Sequence, residues 1–238
     1  MTRPEDIRTI SIPLPGSRFA DVEVRRRQDG RNVRLGNGRR SRTVGRYFSI
    51  KNGGGQPWES RPELFDLYHA EVDGAVVSFR TQPETLAWRC EGRAWQYTPD
   101  RIDVLEDGSH RVVEIKDEYD AERDPTYATK LDQAREIYGL LGRTFTLRAS
   151  ADILAEPVFS AVEEAQAYRR AVVTTQQAVH VRERLEKGPV PFIDLMESLP
   201  GVHPRESIIA MGVRRIIRLD YSAGLTPETP VRLIESPN

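Results

Sequence analysis

The chain has 238 residues, of which 38% are hydrophobic and 30% charged, with a formal net charge of −1. That is enough material for one large domain or two small ones, with the composition of a polar globular protein. No apolar run approaches the roughly 18 residues that span a bilayer, and the start, MTRPEDIRTISIPLPG, lacks the apolar core of a secretion signal, so a cytoplasmic protein without membrane association is expected.

Residues 1–57 read as a basic N-terminal arm with strand-like pieces, RTISIPL and GRYFSI, ending in a flexible KNGGGQP. From Arg25 to Arg46 the arm carries nine arginines against one acid, Asp29. Such a segment can neutralise phosphates without a packed core of its own, and Arg25, Arg26, Arg27, Arg39, Arg40 and Arg42 are the candidate DNA-backbone contacts. The competing reading is coding bias, because only four lysines occur in the whole chain. The three adjacent glycines are not followed by Gly-Lys-Ser/Thr, which excludes a Walker loop.

A helix is predicted to start at SRPELFDLYHAEVDG, with Ser60 as N-cap, Pro62 in the first turn, and Leu64, Leu67 and Tyr68 as an apolar stripe ending before Gly74. Candidate strands follow: AVVSFRT, TLAWRC, RAWQYT, RIDVLE and HRVVEIK. A second helix, Thr126 to Leu141, and the strand RTFTLRA complete a mixed α/β domain over 58–150. Residues 151–238 change period: two longer helices, then short helices around PFIDLMESLP and PRESIIAMGV, then a strand pair, a helical and winged-helix-like pattern. There, ESIIAMGVRRIIRLD is either a recognition helix with Arg214, Arg215 and Arg218 on DNA or a packing helix beside a partner surface.

The stretch QYTPDRIDVLEDGSHRVVEIKDE is the candidate for chemistry, its alternative being an ordinary solvated strand face. Asp107-Gly108 is a favoured hairpin turn and lies midway between Asp100 and Glu114, so folding there brings the two carboxylates together. Glu114 and Lys116 are two apart on one strand and share a face, while Val113 and Ile115 point the other way. Two close carboxylates repel unless a cation lies between them. The single cysteine, Cys90, and four histidines without ligand spacing exclude a zinc site of the usual kinds, which leaves a hard cation such as Mg²⁺, with Mn²⁺ able to substitute. Glu63 is a further carboxylate, with a capping-box role as its structural alternative because Ser60-Arg61-Pro62-Glu63 fits that motif.

A helix-borne Glu63, the Gln82-Pro83 pair in FRTQPE, YTPD and then VVEIK occur in the order of the restriction-endonuclease-like PD-(D/E)-x-K nucleases. Tyr47 to about Ala149 more narrowly resembles the TnsA-like endonuclease subunits of heteromeric transposons. The resemblance implies a restriction-endonuclease-like mixed sheet flanked by helices, with Glu63, Asp100 and Glu114 as Mg²⁺ ligands and catalytic residues, and Lys116 as the catalytic lysine. It implies a metal-dependent DNA endonuclease that nicks double-stranded DNA at transposon ends, on the strand left by a DDE-type transposase subunit. An AAA+ ATPase regulator is a further expected partner. The arginine-rich arm is not part of the motif. The alternatives are a stand-alone restriction or repair nuclease with the same site, and a non-catalytic DNA-binding adaptor. Gln133, on the second helix, is a further residue that could face the site.

Overall fold

The computed structural model describes residues 6–29, 43–118 and 121–234. The chain opens with β1 (Ile7–Ser11) and β2 (Ala20–Arg27), then a hairpin of β3 (Gly45–Ser49) and β4 (Gly54–Trp58), and the first helix, α1 (Arg61–Val72). Five strands follow, β5 (Val76–Thr81), β6 (Glu84–Cys90), β7 (Arg93–Tyr97), β8 (Arg101–Leu105) and β9 (His110–Lys116), then α2 (Pro125–Leu140) and β10 (Thr144–Ala149). The fold is mixed α/β.

Two four-stranded sheets organise this part, one in the order β1-β2-β6-β7 and the other β10-β9-β8-β5. In the second sheet β5, β8 and β9 run antiparallel, while β10 lies parallel to β9. A parallel neighbour needs a crossover connection, which α2 supplies. The helix is usable as a crossover because Leu131, Ala134, Ile137 and Tyr138, at helical spacing, are all buried against Leu86, Trp88 and Val112 of the two sheets. Truncating a fully buried leucine such as Leu131 in this layer would cost about 2–5 kcal/mol.

The expected arm is partly something else. Over residues 20–27 the chain is a paired strand: β2 lies between β1 and β6, and its Phe19, Val22 and Val24 flank enters the same apolar cluster as Trp88. The GGG segment, expected as a mobile loop, forms the turn and the start of β4, paired with β3 from Gly45–Trp58 to Ser49–Gly54. Gly53 adopts φ +61 there, a conformation that favours glycine.

Helix α1 begins as the sequence predicts, with Ser60 as N-cap and proline in the first turn. Its other end is held by Lys51, whose Nζ donates to the carbonyls of Ala70 (2.9 Å), Asp73 (2.5 Å) and Val76 (2.9 Å). At Ala70 and Asp73 the ammonium meets carbonyls of the last turn and C-cap and opposes the negative end of the helix dipole.

The remaining elements are α3 (Ser150–Ile153), α4 (Val158–Tyr168), α5 (Thr175–Leu185), β11 (Val190–Pro191), α6 (Phe192–Ser198), α7 (Pro204–Val213), β12 (Ile217–Leu219) and β13 (Pro230–Leu233). The three strands form a small sheet in the order β11-β13-β12. This unit does not stand apart from α1: Val72 belongs to the same apolar cluster as Val162, Ile208, Met211 and Val231, and Tyr47 donates to Gln166 at 2.8 Å. Helix α7 is buried from Ser207 to Val213 without a break, so that stretch serves packing. Arg214 donates to the Ala171 carbonyl, Arg215 to the Gly74 carbonyl, and Arg218 pairs with Glu106. Among the described residues no helix is long and apolar enough to cross a membrane.

Candidate active site

The β8–β9 pairing places Arg101 opposite Val113 and Ile102 opposite Val112, with Gly108 at φ +79 in the turn. Continuing that register by one residue sets Asp100 opposite Glu114, as the midpoint at Asp107 predicts. Asp100 is fixed from both sides: its Oδ2 accepts from Ile115 N at 2.8 Å, and its carbonyl accepts from Gln82 N at 3.0 Å. Gln82 is buried at φ +43, so the Gln-Pro pair turns the chain out of β5 directly against the start of β8.

Glu114 is 3% exposed and is held by three donors. Tyr97 Oη donates to Oε2 at 2.7 Å, Tyr127 Oη donates to Oε1, and Lys116 Nζ lies 2.9 Å from Oε1. Both faces of β9 are covered: Val112 contributes to the α2-side cluster, whereas Val113 and Ile115 pack with Ile153 and Phe65. Val113 and Ile115 face away from Glu114 into a core, as the strand alternation predicts, and the face that carries Glu114 is covered as well. The site lies at the end of a strand buried on both sides.

Glu63 takes part in the N-terminal cap of α1, but its carboxylate reaches the Glu59 amide and the Ser60 hydroxyl rather than the Ser60 amide of a full capping box. Its N–H donates to Ser60 Oγ at 3.3 Å, while its carboxylate accepts from Ser60 Oγ at 3.0 Å and from Glu59 N at 2.8 Å. Helix α1 nevertheless brings it within electrostatic range of the hairpin. Burial, then Glu114, then Glu63 push the Asp100 carboxyl well above the usual carboxylate range. Burial also raises Glu63, against the opposing hydrogen bonds from Glu59 and Ser60, with Glu59 and Glu114 adding to the rise. Three carboxylates are thus crowded where ionisation is costly, and one lysine is paired with them.

That is a hard-oxygen donor set whose excess negative charge suits a divalent cation, and on this ground the residues fit Mg²⁺. Among the described residues, however, no three His, Cys, Asp or Glu side chains are gathered as a metal-binding group. The physical reason is visible at Glu63, whose carboxylate is turned to its own N-terminal turn, and at Glu114, whose oxygens are taken up by two phenols and a lysine.

Two residues at the site were not singled out as functional from sequence. Tyr127 is in the first turn of α2, where Asp124 caps its N–H at 2.9 Å. Lys116 Nζ and Lys130 Nζ lie 4.6 Å and 4.5 Å from the centroid of the Tyr127 ring. Gln133 is engaged elsewhere, its Oε1 accepting from Trp88 Nε1 at 2.8 Å.

The basic patch is more neutral than its sequence implies. Arg25 pairs with Glu23 at 2.9 Å, Arg26 with Glu84 at 2.6 Å and Arg27 with Asp29 at 2.6 Å. Arg39, Arg40 and Arg42 lie outside the described residues. On the other face of the hairpin, Arg101 donates to Asp66 and to Asp103 (2.6 Å), and Arg111 to Asp103 (2.9 Å) and Asp73 (3.1 Å).

The chain matches no protein-family model and no curated protein.

Proposed function

We propose that this protein is a Mg²⁺-dependent DNA endonuclease, acting as the strand-nicking subunit of a heteromeric transposase. The observation that carries the reading is the juxtaposition of Asp100 and Glu114 across the hairpin, with Lys116 2.9 Å from Glu114 and Glu63 close enough to raise Asp100. Two further features support it. The order of α1, the antiparallel β5, β8 and β9, α2 and the parallel β10 agrees with a restriction-endonuclease-like core, and β6–β7 is an excursion that returns just before Asp100. The order α5, β11, α6, α7, β12, β13 agrees with a winged-helix-like unit whose central helix is used for packing.

Glu63, Asp100 and Glu114 would hold the metal, with Mn²⁺ as a substitute. When bound, the cation polarises the scissile phosphate and lowers the pKa of a bound water. Lys116 is the residue that can orient the attacking water or stabilise negative charge on the phosphate. Tyr97 and Tyr127 hold the Glu114 carboxylate in place by charge-assisted hydrogen bonds. Asp100 is fixed by the Ile115 N–H on Oδ2, and its other oxygen would be the one to meet a cation.

A non-catalytic DNA-binding adaptor is the second reading, favoured by the capping role of Glu63 and by the carboxylates not closing into one metal-binding group. One experiment separates the two. Labelled duplex DNA carrying candidate element ends is incubated with Mg²⁺ or Mn²⁺ and with wild type or Glu114→Ala, each with and without a DDE-type transposase subunit. Strand-specific nicking that needs the transposase and is lost in Glu114→Ala is the expected outcome. Cutting without the partner, abolished by the same substitution, retains the nuclease and assigns it to restriction or repair. Absence of metal-dependent cutting in every arm leaves the adaptor.

A further inference from the structure

Between β2 and β6 of one sheet and β5 and β8 of the other is a cavity of about 270 Å³. Arg26, Arg27, Arg80, Arg143 and His110 line it, with Glu84 as the one acid among its described lining residues. Arg27 brings its own acid, Asp29. Glu84 is 1% exposed. Its Oε2 accepts from Arg26 Nε (2.8 Å) and Nη2 (2.6 Å), and its Oε1 accepts from Arg143 Nη1 (2.7 Å). One guanidinium would neutralise Glu84; the second leaves a net positive charge, and N–H donors beyond those the carboxylate takes up. The imbalance is opposite in sign to that at Asp100 and Glu114. The cavity is nevertheless on the sheet face that carries those carboxylates. Asp100, Ile102 and Val104 alternate onto one side of β8, and Ile102 and Val104 are in the lining. They lie about 7 and about 13 Å past Asp100 along the strand. Pro83, also in the lining, follows Gln82, whose N–H holds the Asp100 carbonyl.

Resting on the nuclease reading above, we propose that this cavity is a second, non-catalytic phosphate site, where Arg26 and Arg143 take a DNA backbone phosphate flanking the one being cut. Guanidinium forks match phosphate oxygens with parallel donors. Glu84 is the part that makes a site of them: by accepting from both, it holds the two forks at a fixed spacing and leaves their other donors to a ligand. Ile102 and Val104 add an apolar surface against which a deoxyribose can pack. A duplex strand advances about 3.4 Å per nucleotide, so an offset of about 7–13 Å corresponds to about two to four nucleotides. Contacts of this kind fix register and orientation without reading sequence. The cavity thereby sets where along the DNA the cut falls.

The test compares wild type with Arg143→Gln, Arg143→Lys and Arg26→Gln, and with Arg182→Gln as a control at an exposed arginine outside the cavity. It measures binding of labelled duplex DNA over a range of salt concentrations and single-turnover cutting with Mg²⁺, each with and without the transposase subunit. Arg143→Gln and Arg26→Gln should each weaken affinity by about tenfold, with a salt-dependence slope shallower by about 1. The limiting cutting rate should fall less than the affinity. Arg143→Lys keeps the charge and therefore the wild-type slope, and Arg182→Gln behaves as wild type. The Arg26 side chain is 45% exposed, so its variant reads the site even if Arg143→Gln fails to fold. Wild-type affinity and slope in both glutamine variants, with cutting intact, overturn the proposal and leave the nuclease reading standing. An equal loss in Arg182→Gln means diffuse charge and overturns it as well. Glutamine variants that keep DNA affinity but lose their response to the transposase subunit assign the cavity to a partner's carboxylate, which also overturns it. A wild type that binds DNA with these dependences yet never cuts it sinks the nuclease reading and leaves the phosphate site as one of DNA binding alone.

Discussion

The two faces of the β8–β9 hairpin carry similar numbers of charges and treat them in opposite ways. On one face Arg101, Arg111 and Arg148 are interleaved with Asp66, Asp73 and Asp103: four of the six carboxylate oxygens accept from a guanidinium, and Arg148 Nε lies 3.2 Å from a fifth, Asp66 Oδ1. Burial lowers the proton affinity of Arg101, but Asp103 and Asp66 outweigh it and hold Arg101 above its ordinary value. On the other face Glu63, Asp100 and Glu114 outnumber the lysine that pairs with them, and burial together with mutual repulsion raises Asp100 and Glu63. A balanced, hydrogen-bonded set of charges serves the fold. An unbalanced set a few residues away is maintained against its own cost, a property that functional sites share.

Breaking the balanced face should have the largest effect. Arg101→Met removes the guanidinium and leaves Asp66 and Asp103, both 0% exposed, without their shared partner. Breaking a buried pair in this way costs about 3–5 kcal/mol, read as a lower midpoint in urea unfolding with an unchanged slope. Cutting per folded molecule should remain close to wild type. A loss below about 1 kcal/mol would mean that these charges are solvated after all, and the contrast between the faces would collapse.

Relieving the unbalanced face should act in the other direction. Asp100→Asn retains an acceptor for the Ile115 N–H and removes one of three crowded carboxylates. The metal-free protein should gain about 1 kcal/mol, while metal-dependent cutting falls by more than about 100-fold. The pH dependence has a definite sign. Asp100 binds its proton more tightly folded than unfolded, so its contribution to stability is complete in acid and is lost as pH rises through the raised pKa. The thermal midpoints of wild type and Asp100→Asn should therefore draw apart as pH rises, the variant being the more stable. Adding Mg²⁺ should stabilise wild type and leave the variant nearly unmoved. Midpoints that stay parallel with pH would show that Asp100 ionises without penalty.

Much of this contrast was legible in the sequence, for reasons specific to hairpins. An antiparallel pair has a constant register sum, so one Asp-Gly turn fixes every facing pair, and Asp100 opposite Glu114 follows. The start of α1 was legible because Ser60, Pro62 and Glu63 are local signals. Residues 20–27 were not, because Val22 and Val24 are a weak alternation beside three consecutive arginines, and the partner of β2 is some sixty residues away in β6. Tyr127 was missed for a related reason. Nothing near it in sequence is catalytic, and its hydroxyl meets Glu114 only because the crossover helix packs on the sheet. Arg101 was not singled out in the sequence, since its partner Asp66 comes from α1, some thirty-five residues earlier.

The smallest effect tests whether the tyrosines serve the fold or the site. Tyr97 is 4% exposed, deep in the cluster with Tyr138 and Phe145, whereas Tyr127 is half-buried at the start of α2. Tyr97→Phe takes a donor from Glu114 inside the core and should cost about 1–2 kcal/mol of stability as well as activity. Tyr127→Phe keeps the ring beside Lys116 and Lys130 and removes only the hydroxyl on Oε1. It should leave the urea midpoint within about 0.5 kcal/mol of wild type. Cutting should fall by about tenfold as Glu114 and Lys116 lose their common anchor. If both variants lose stability and neither loses cutting beyond its unfolded fraction, Glu114 is a buried structural acid held by its phenols, and the unbalanced face has no more chemistry than the balanced one.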